Sequence, residues 1–381
     1  MSLTLQTPLQ TPRTALYIPA LTGIRIIAAY LVFFHHFNPL SSSRLENKFL
    51  AFINPVFEEG HIGVSIFFVL SGLLITLRYY ERLEITRSWL FRYLRNRFAR
   101  IYPLFFIITC LTLTLFFIAP KYAILKENPA FTGSQWVVMA LANFTLTKGL
   151  FSSLKFTGIA QGWTLTVEES FYLSAPLLLL GLRSNRNRIF LYPFVVMLIG
   201  ITLYFRGVDS LNELADNAIF FFSYTFFGRC FEFLCGMFLG LQFIKRPDYG
   251  VRHSTLLTYG GMVWILCCIY AQDFVKGSEL ISTHTMLGAI INNFILPIGI
   301  GGLLLGLAKG NTIAGRVLST RMMQLLGKSS YAFYLIHLGV INILIDQFIK
   351  SNFFLNFLII NSISILAYKF IEEPLHRRLK A

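Results

Sequence analysis

Three side chains that can carry charge or accept protons lie in one apolar stretch near the start of the chain. The segment Tyr17–Phe37 reads YIPALTGIRIIAAYLVFFHHF and contains Arg25 near its middle and His35 and His36 near its end. A guanidinium at bilayer depth costs several kcal/mol unless it faces protein or water, so an arginine there is a candidate functional residue. In a helix, Arg25 and His36 lie on one face, about 16 Å apart along the axis, whereas His35 is turned away by about 100°.

These residue types are suited to proton transfer and to the stabilisation of negative charge. A neutral imidazole accepts a proton near neutral pH, and a fixed guanidinium stabilises an oxyanion that develops during a reaction. The alternative is structural: an arginine that extends its side chain to the interface and two histidines at a helix end. The depth of Arg25 in the apolar stretch favours the functional interpretation.

The composition places these residues in a membrane protein. Of the 381 residues, 55% are hydrophobic and 13% are charged, and the mean hydropathy is +0.63. These values exclude an ordinary soluble domain and predict an all-α polytopic membrane protein embedded in a lipid bilayer. The net charge of +15 is interpreted as loop charge that sets the orientation, so no nucleic-acid partner is expected. The cysteines lie in apolar runs without metal-ligand spacing, so no metal is expected.

The apolar runs predict about ten transmembrane helices in a single domain, residues 1–381, without an appended extracytoplasmic domain. The predicted spans are Tyr17–Phe37, His61–Tyr80, Ile101–Ala119, Trp163–Leu182, Ile189–Phe205, Asn217–Ile244, Ser254–Ala271, Met286–Ala308, Ser329–Ile349 and Phe353–Phe370. A polar N-terminal tail, 1–16, and a basic C-terminal tail, 372–381, flank them. With both ends in the cytoplasm, most Lys and Arg residues of the connecting segments fall on the inner side, which fits the positive-inside rule.

This topology also predicts depth in the membrane. We expect the outer helix ends to contain His36, His61 and Glu168. Intermediate depth is expected for Arg25 and His337. The inner side is expected to contain the basic segment Arg78–Arg100, Tyr331 and Glu372. The stretch 135–150 is apolar but contains Asn143 and Lys148, so we predict an interfacial or re-entrant segment there.

Seven motifs, in order and over nearly the whole chain, resemble the acyltransferase-3 family of integral membrane acyltransferases, which O-acylate carbohydrates and related acceptors. They are ALTGIRIIAAYLVFFHHF (Ala20–Phe37), GVSIFFVLSGLLIT (Gly63–Thr76), FRYLRNRFARIYP (Phe91–Pro103), WTLTVEESFYLSAPLLL (Trp163–Leu179), RCFEFLCGMFLG (Arg229–Gly240), GKSSYAFYLIH (Gly327–His337) and IEEPLHRRL (Ile371–Leu379). Each motif is weak alone, and the ordered set is specific.

The resemblance implies acyl transfer from a thioester to a hydroxyl, with Arg25, His36 and Glu168 as catalytic candidates. His36 is the candidate base or transient acyl carrier, Glu168 the group that orients or polarises it, and Arg25 a holder of donor or oxyanion charge. The implied donor is cytoplasmic acetyl-CoA or a related acyl-CoA, with no permanently bound cofactor. The implied acceptor is a carbohydrate, such as a surface polysaccharide or a glycan precursor, and the implied location is a bacterial cytoplasmic (inner) membrane.

Four arginines of the basic segment are candidates for donor binding, since guanidinium groups hold phosphates. They are Arg92, Arg95, Arg97 and Arg100. Control of topology alone is an equal alternative for this group. The chain also departs from the family pattern, because many members have Asp at the positions of Thr22 and Ser65. These departures leave Arg25 short of carboxylate partners.

Several further residues have both a functional and a structural interpretation. His61, Tyr331, His337 and Glu372 are site candidates, but His61 can be a helix-end residue, His337 a packing histidine and Glu372 a partner of the basic tail. Arg229 and Glu232 are three residues apart and can neutralise each other, and Ser71 with Gly72 permits close helix contact.

A transporter or flippase for a glycan or acyl group is the rival function, because it also uses intramembrane charges. Inverted repeats or paired broken helices would favour it, and the sequence shows neither. A third alternative retains the enzyme and changes the acceptor to a lipid, a peptide or an antibiotic.

Overall fold

The computed structural model describes residues 17–40, 47–118, 133–205, 218–246, 250–349 and 352–380. All regular secondary structure in these ranges is helical. The α-helices are α1 Pro19–His36, α2 Lys48–Glu58, α3 Ile62–Tyr79, α4 Arg87–Ile118, α5 Gly133–Phe144, α6 Trp163–Ser184, α7 Arg188–Phe205, α8 Ala218–Tyr224, α9 Phe226–Lys245, α10 Ser254–Lys276, α11 Met286–Ile290, α12 Leu296–Lys309, α13 Ile313–Leu318, α14 Arg321–Ile336, α15 Val340–Ile349, α16 Phe353–Ala367 and α17 Glu373–Leu379. Short 3₁₀ segments occupy Lys148–Leu150, Ala160–Gly162 and Ser282–His284, and π-helical segments occupy Ile291–Ile295 and Tyr368–Glu372.

The helices confirm an all-α polytopic membrane protein, and the described residues of each of the ten predicted spans are mostly helical. By length and composition, seven described segments can cross a membrane, or eight if the bent pair α14–α15 is one span. α1, which carries Arg25, is not among these, although it packs against α3 and α14. The helix with the candidate arginine and histidines is therefore surrounded by other helices.

The third predicted span begins earlier than expected. α4 has 32 residues and starts at Arg87, so the basic segment that ends in RIYP is part of the helix. At 1.5 Å per residue α4 is about 48 Å long, well beyond the roughly 30 Å of a hydrocarbon core. Its first turns can therefore carry arginines outside the core, and helical spacing decides which of them face inward.

The ninth predicted span consists of two helices, α14 and α15, which are bent by 83°. Gly339 lies at the break with a φ of 143°, a conformation that side chains with a β-carbon rarely adopt. The side-chain amide of Gln161 lies 2.9 Å from each of the carbonyl oxygens of Tyr334, Leu335 and Leu338. It thereby satisfies acceptors at the end of α14, which no longer have a following helical turn.

The stretch 135–150 is too short to cross the bilayer as one helix, because the 12 residues of α5 extend only about 18 Å. Its two polar side chains hold the chain that leads into α6. Lys148 is fully buried and donates to the carbonyls of Thr157, at 2.5 Å, and Ile159. Burial lowers the pKa of Lys148 to about 7. The amide of Asn143 donates to the Thr157 hydroxyl at 2.9 Å.

The residues predicted to form a basic C-terminal tail are helical. α16 continues through the π segment into α17, and α17 packs against α4. Pro374 stands in the first turn of α17, and Glu373 pairs with Arg377 at 2.6 Å, four residues on. Arg95 Nε donates to the carbonyl of Leu379 at 2.8 Å. These contacts place the end of the described chain beside the basic part of α4.

The backbones of α3 and α9 are so close at two glycines that a side chain at either position would overlap the opposite helix. A β-carbon added to Gly236 would lie 1.9 Å from the carbonyl oxygen of Val69, and one added to Gly72 would lie 2.0 Å from that of Phe233. Small residues permit such backbone approach between membrane helices. The expected role of Gly72 in helix contact is therefore confirmed.

We expect Gly236→Ala to destabilise the protein by about 1–3 kcal/mol, because the new methyl group must push two backbones apart. Gly260→Ala is the matched control, since the nearest atom to an added β-carbon is 4.0 Å away. That control should be neutral or slightly stabilising, because alanine favours helix over glycine. Thermal unfolding of both variants in detergent measures the difference. Equal melting temperatures would show that α3 and α9 are not in close contact.

Candidate active site

A cavity of about 790 Å³ opens at the end of the bundle where α1 begins and α3 ends, here called the cavity end. Its walls come mainly from α1, α3, α4 and α6. Basic side chains dominate its polar lining: Arg25, Arg78, Arg82, Arg97, Arg100, Lys309 and Lys380, together with His376. Two carboxylates, Glu81 and Glu168, accompany them. The cavity therefore has a strong excess of positive charge.

α4 divides the four predicted donor-binding arginines into two pairs. Arg97 and Arg100 are three residues apart on the helix and line the cavity. Arg92 and Arg95 are exposed and lie outside the cavity lining, with Arg95 bound to the C-terminal helix as described above. The structure thus brings together half of the predicted group. It adds Arg78, Arg82 and the two lysines, which sequence reasoning did not select as site residues.

Arg97 is the most buried of the four predicted donor-binding arginines and is held by aromatic rings. It is 9% exposed, and its guanidinium lies 5.7 Å from the ring centre of Tyr79 and 5.4 Å from that of Tyr172. Its Nη2 donates to the Tyr79 hydroxyl at 3.3 Å, whereas the buried Nε has no protein partner in the described residues. Cation–π contacts fix the charge without neutralising it. The side chain therefore remains able to bind an anion.

Glu168 also lines the cavity, at a different place from the one predicted. Its Oε1 accepts a hydrogen bond from the Ser71 hydroxyl at 2.6 Å and another from the Tyr172 hydroxyl. The expected pairing of Glu168 with His36 is not seen. Glu168 instead shares the cavity with Arg25 and the α4 arginines, and Ser71 is a partner that sequence reasoning assigned only to helix contact.

Arg25 faces the cavity and interacts electrostatically with Arg100, Glu168 and Glu372. None of the described carboxylates lies within 4 Å of it. Glu372 is 8% exposed, and its Oε2 has no hydrogen-bond partner among the described residues. Tyr331 lines the same cavity and donates to the carbonyl of Ile101 at 2.8 Å. The arrangement leaves Arg25 available for a negatively charged group in the cavity.

Four histidines lie in a row at the opposite end of α1, here called the histidine end. The ring centres are 5.4 Å apart for His61 and His35, 5.1 Å for His35 and His36, and 5.3 Å for His36 and His337. His337, predicted at intermediate depth, is fully buried beside His36. About 27 Å of helix separates the two ends of α1. This histidine row does not line the cavity.

Hydrogen bonds assign the ring protons of three histidines in the row. The Nδ1 atoms of His36 and His337 lie 2.8 Å from the carbonyl oxygens of Val32 and Tyr334, and Nδ1 of His35 contacts the carbonyl of Glu58. A carbonyl oxygen only accepts, so Nδ1 carries the proton and Nε2 is the free acceptor. Nε2 of His36 can therefore act as a base.

Tyr334 lies between the cavity and the histidine row. Tyr334 and Thr164 line the cavity, and their hydroxyl groups are 3.0 Å apart. The ring of Tyr334 lies 5.6 Å from that of His337. Tyr334 belongs to the last turn of α14, which Gln161 holds at the break.

Arg229 and Glu232 form a buried ion pair, as predicted. Nε and Nη2 of Arg229 donate to the two carboxylate oxygens at 2.8 and 2.7 Å, and both residues are at most 3% exposed. Arg229 also donates to the Ser65 hydroxyl at 3.1 Å. Ser65 therefore faces Arg229, and the absence of Asp at this position does not affect Arg25. This corrects the expectation for Ser65, whereas Thr22 lines the cavity together with Arg25.

We expect Arg229→Leu to lower the free energy of unfolding by about 3–5 kcal/mol, because Glu232 is then left buried and unpaired. The double variant Arg229→Leu with Glu232→Leu should recover most of the loss, since no isolated charge remains. Chemical denaturation in detergent gives both values. A double variant less stable than the single one would contradict this interpretation of the pair.

Outside the row, a buried acid lies next to His61. Glu59 is fully buried, and its Oε2 is 3.5 Å from Nδ1 of His61. Burial raises the pKa of Glu59 to about 7, although a hydrogen bond from Ser282 opposes the shift. Neither Glu59 nor Ser282 was selected from the sequence. Among the described residues, no group of three or more His, Cys, Asp or Glu side chains is arranged to hold a metal ion.

Comparison with known proteins places this arrangement in context. Residues 18–368 match the model of the acyltransferase-3 family, an acyltransferase domain. O-acetyltransferase OatA of Staphylococcus aureus strain NCTC 8325 / PS 47 is 24% identical over an alignment of 397 positions, which covers 95% of this chain and 58% of the relative. Peptidoglycan O-acetyltransferase OatA of Listeria monocytogenes serovar 1/2a is 25% identical over an alignment of 382 positions, which covers 95% of this chain and 56% of the relative. The chain thus spans little more than half the length of these curated relatives. No solved structure is significantly similar to the chain.

Proposed function

Because the chain belongs to the acyltransferase-3 family, we propose that it is a membrane-bound O-acetyltransferase of a bacterial cytoplasmic membrane. It transfers an acetyl group from acetyl-CoA to a hydroxyl group of a cell-wall or surface carbohydrate. The donor enters at the cavity end, and the acceptor hydroxyl reaches the histidine end. No other acyl donor is required by this proposal.

The observation that carries the proposal is the charge of the cavity. Seven lysine and arginine side chains and only two carboxylates line a space within a bundle of membrane helices. CoA carries several phosphate charges at one end and the thioester at the other. Guanidinium groups bind phosphate by paired, charge-assisted hydrogen bonds, which are strong where water is excluded. Arg97 and Arg100 therefore hold phosphate, and Arg25 lies deeper, where the acyl group is delivered.

The histidine row supplies the base for the second substrate. Nε2 of His36 is unprotonated when Nδ1 donates to the Val32 carbonyl, so it can take the proton of an acceptor hydroxyl. The hydroxyl oxygen then attacks the acyl carbonyl carbon, and the CoA thiolate leaves. The name of the Listeria relative specifies peptidoglycan, which makes a peptidoglycan hydroxyl the first acceptor to test.

The transporter alternative receives less support. Among the described helix pairs that together could form one membrane span across a short break, one is bent by more than 40°, the α14–α15 pair. Transporters built from inverted repeats place broken helices in corresponding positions of both halves. The single break here instead positions Tyr334 and His337 between the cavity and the row.

The test uses the purified full chain in lipid nanodiscs with acetyl-CoA and soluble peptidoglycan fragments. We expect free CoA thiol to appear together with an equal amount of alkali-labile acetyl ester on the glycan, measured by mass spectrometry. The control without glycan should release little thiol. Thiol release without glycan acetylation would overturn the acceptor assignment, and neither product with any offered glycan would favour the transporter.

A further inference from the structure

We propose that the histidine row is a proton relay, which carries the proton of the acceptor hydroxyl from His36 through His35 and His61 to Glu59 and then to water at the histidine end. This inference rests on the proposed acetyl transfer. It assigns a role to three residues, His35, His61 and Glu59, that neither the motifs nor the comparisons single out together. They act as relay residues, whereas His36 alone contacts the acceptor.

The geometry of the row provides the path. Successive ring centres from His36 to His61 are 5.1 and 5.4 Å apart, and Glu59 is 3.5 Å from the last ring. Rings at these separations place nitrogen atoms within reach of one another or of one bridging water. Because His35 and His36 donate from Nδ1 to backbone carbonyls, both accept and release the proton at Nε2.

Unpartnered polar atoms cluster at the far end of this path. Both ring nitrogens of His61, Oε1 of Glu59 and Nε2 of Gln272 are buried without a hydrogen-bond partner among the described residues. Ser282 links two of these side chains, because its hydroxyl contacts Oε2 of Glu59 at 2.6 Å and Oε1 of Gln272 at 3.2 Å. Buried polar atoms normally find a partner, and several together form the polar surroundings that a water molecule requires.

Glu59 is suited to receive the proton. Burial raises its pKa to about 7, so this carboxylate can bind a proton near neutral pH, which an ordinary glutamate does not do. Oε1 of Glu59 is 3.8 Å from Nζ of Lys276, which also pairs with Glu58, whose side chain is 34% exposed. The proton therefore has an exit to the surface through the Glu58–Lys276 pair.

A relay is needed because the bound acceptor covers the base. His36 is exposed in the free protein, but an acceptor hydroxyl within hydrogen-bond reach of Nε2 excludes water from it. In the proposed reaction the acceptor hydroxyl loses its proton at the histidine end. The hydroxyl oxygen then forms a bond to the acyl carbon, and the bond between the acyl carbon and the sulfur of CoA breaks. The thiolate leaves through the cavity end and takes a proton from water there. One proton is released at the histidine end and one is consumed at the cavity end for each acetyl group transferred.

Charged groups on every neighbouring element surround the row. They are Glu58 at the end of α2, Glu59 in the turn before α3, Asp273 and Lys276 of α10, His284 of the adjoining 3₁₀ segment, Arg229 of α9 and His337 directly after α14. Arg229 is already neutralised by Glu232, and Lys276 by Glu58 and Asp273. Glu59 is thus the acid in direct contact with the relay.

The test uses the full chain in proteoliposomes that hold peptidoglycan fragments and a pH-sensitive dye in the lumen. Acetyl-CoA is added outside, so that only molecules with the cavity end outward react. We expect the lumen to gain one proton for each CoA thiol that appears outside. Glu59→Gln and His61→Asn should both bind acetyl-CoA normally, and transfer should slow about tenfold or more, within the usual effect of a proton-transfer group. Glu279→Gln, an exposed acid at the same end, is the control and should behave as wild type.

Three outcomes separate the two proposals. Thiol release and glycan acetylation without luminal acidification would overturn the relay and leave the transferase intact, because His36 would then return its proton to the thiolate. Absence of thiol release from the wild-type protein would overturn the proposed function itself. Wild-type rates and proton yields in Glu59→Gln and His61→Asn would also overturn the relay. The wild-type proton yield can still overturn the relay if one of these variants fails to fold, and the other variant then separates the relay from direct release by His36.

Discussion

Replacement of His36 by alanine is expected to reduce acetyl transfer by about 10²–10⁴-fold, the usual contribution of a general base. His36 is the exposed member of the histidine row. Its unprotonated Nε2 can take the proton from the hydroxyl group of the carbohydrate substrate. Because His36 lies outside the cavity lining, acetyl-CoA binding should remain at the wild-type level. The loss should therefore fall on the rate constant for transfer and leave the donor dissociation constant unchanged.

His253→Ala is the control for His36→Ala, since His253 is an exposed histidine at the start of α10. Transfer is measured as thiol release in nanodiscs, and donor binding by calorimetry. If His36→Ala transfers acetyl groups at the wild-type rate while His35→Ala abolishes transfer, His35 is the base and the facing argument fails. If both variants lose donor binding, the two ends of the bundle are not functionally separate.

The second large effect concerns the donor. Arg97→Gln with Arg100→Gln is expected to weaken acetyl-CoA binding by about 30-fold or more, since loss of a desolvated charge contact costs about 2–5 kcal/mol. Both side chains line the cavity, and Arg97 has no carboxylate within ion-pair distance among the described residues. Calorimetric titration with acetyl-CoA measures the change directly.

Arg87→Gln with Arg92→Gln is the matched control, because it removes the same charge from exposed positions of the same helix. This control should bind acetyl-CoA as the wild type does. Equal weakening in both double variants would indicate a general effect of charge or orientation. Unchanged binding after loss of Arg97 and Arg100 would exclude phosphate binding by these residues and leave control of topology as their role.

The sequence predicts the helices well because membrane helices are long apolar runs, and a run of about twenty residues has few alternatives in a bilayer. The ordered motifs likewise identify the family from Arg25, Glu168 and the RIYP segment. Helix bounds are less well predicted where charge enters a helix, as in α4, because hydropathy falls while helical hydrogen bonding continues. The break at Gly339 is also invisible to hydropathy, since both helices beside it are apolar.

Contacts between distant helices account for most of what the sequence does not show. Glu168 and Ser71 are 97 positions apart, and Arg229 and Ser65 are 164 apart. Helix depth alone suggested that Glu168 would lie with His36, but packing of α6 against α3 turns it into the cavity. The row joins α1 with α3 and α14, so no single stretch reveals it. If the basic segment is treated as part of a helix, the helical spacing places Arg97 and Arg100 on a different face from Arg92.

The central claim is that this chain transfers acetyl groups to a carbohydrate hydroxyl with His36 as base. The most direct test expresses wild type and His36→Ala in a host that lacks the protein, and compares the masses of the isolated surface glycans before and after mild alkali. We expect an alkali-labile acetyl increment with the wild type and none with His36→Ala at equal protein levels. Unchanged glycan masses, with a change in the amount of glycan at the surface, would contradict the claim and indicate transport.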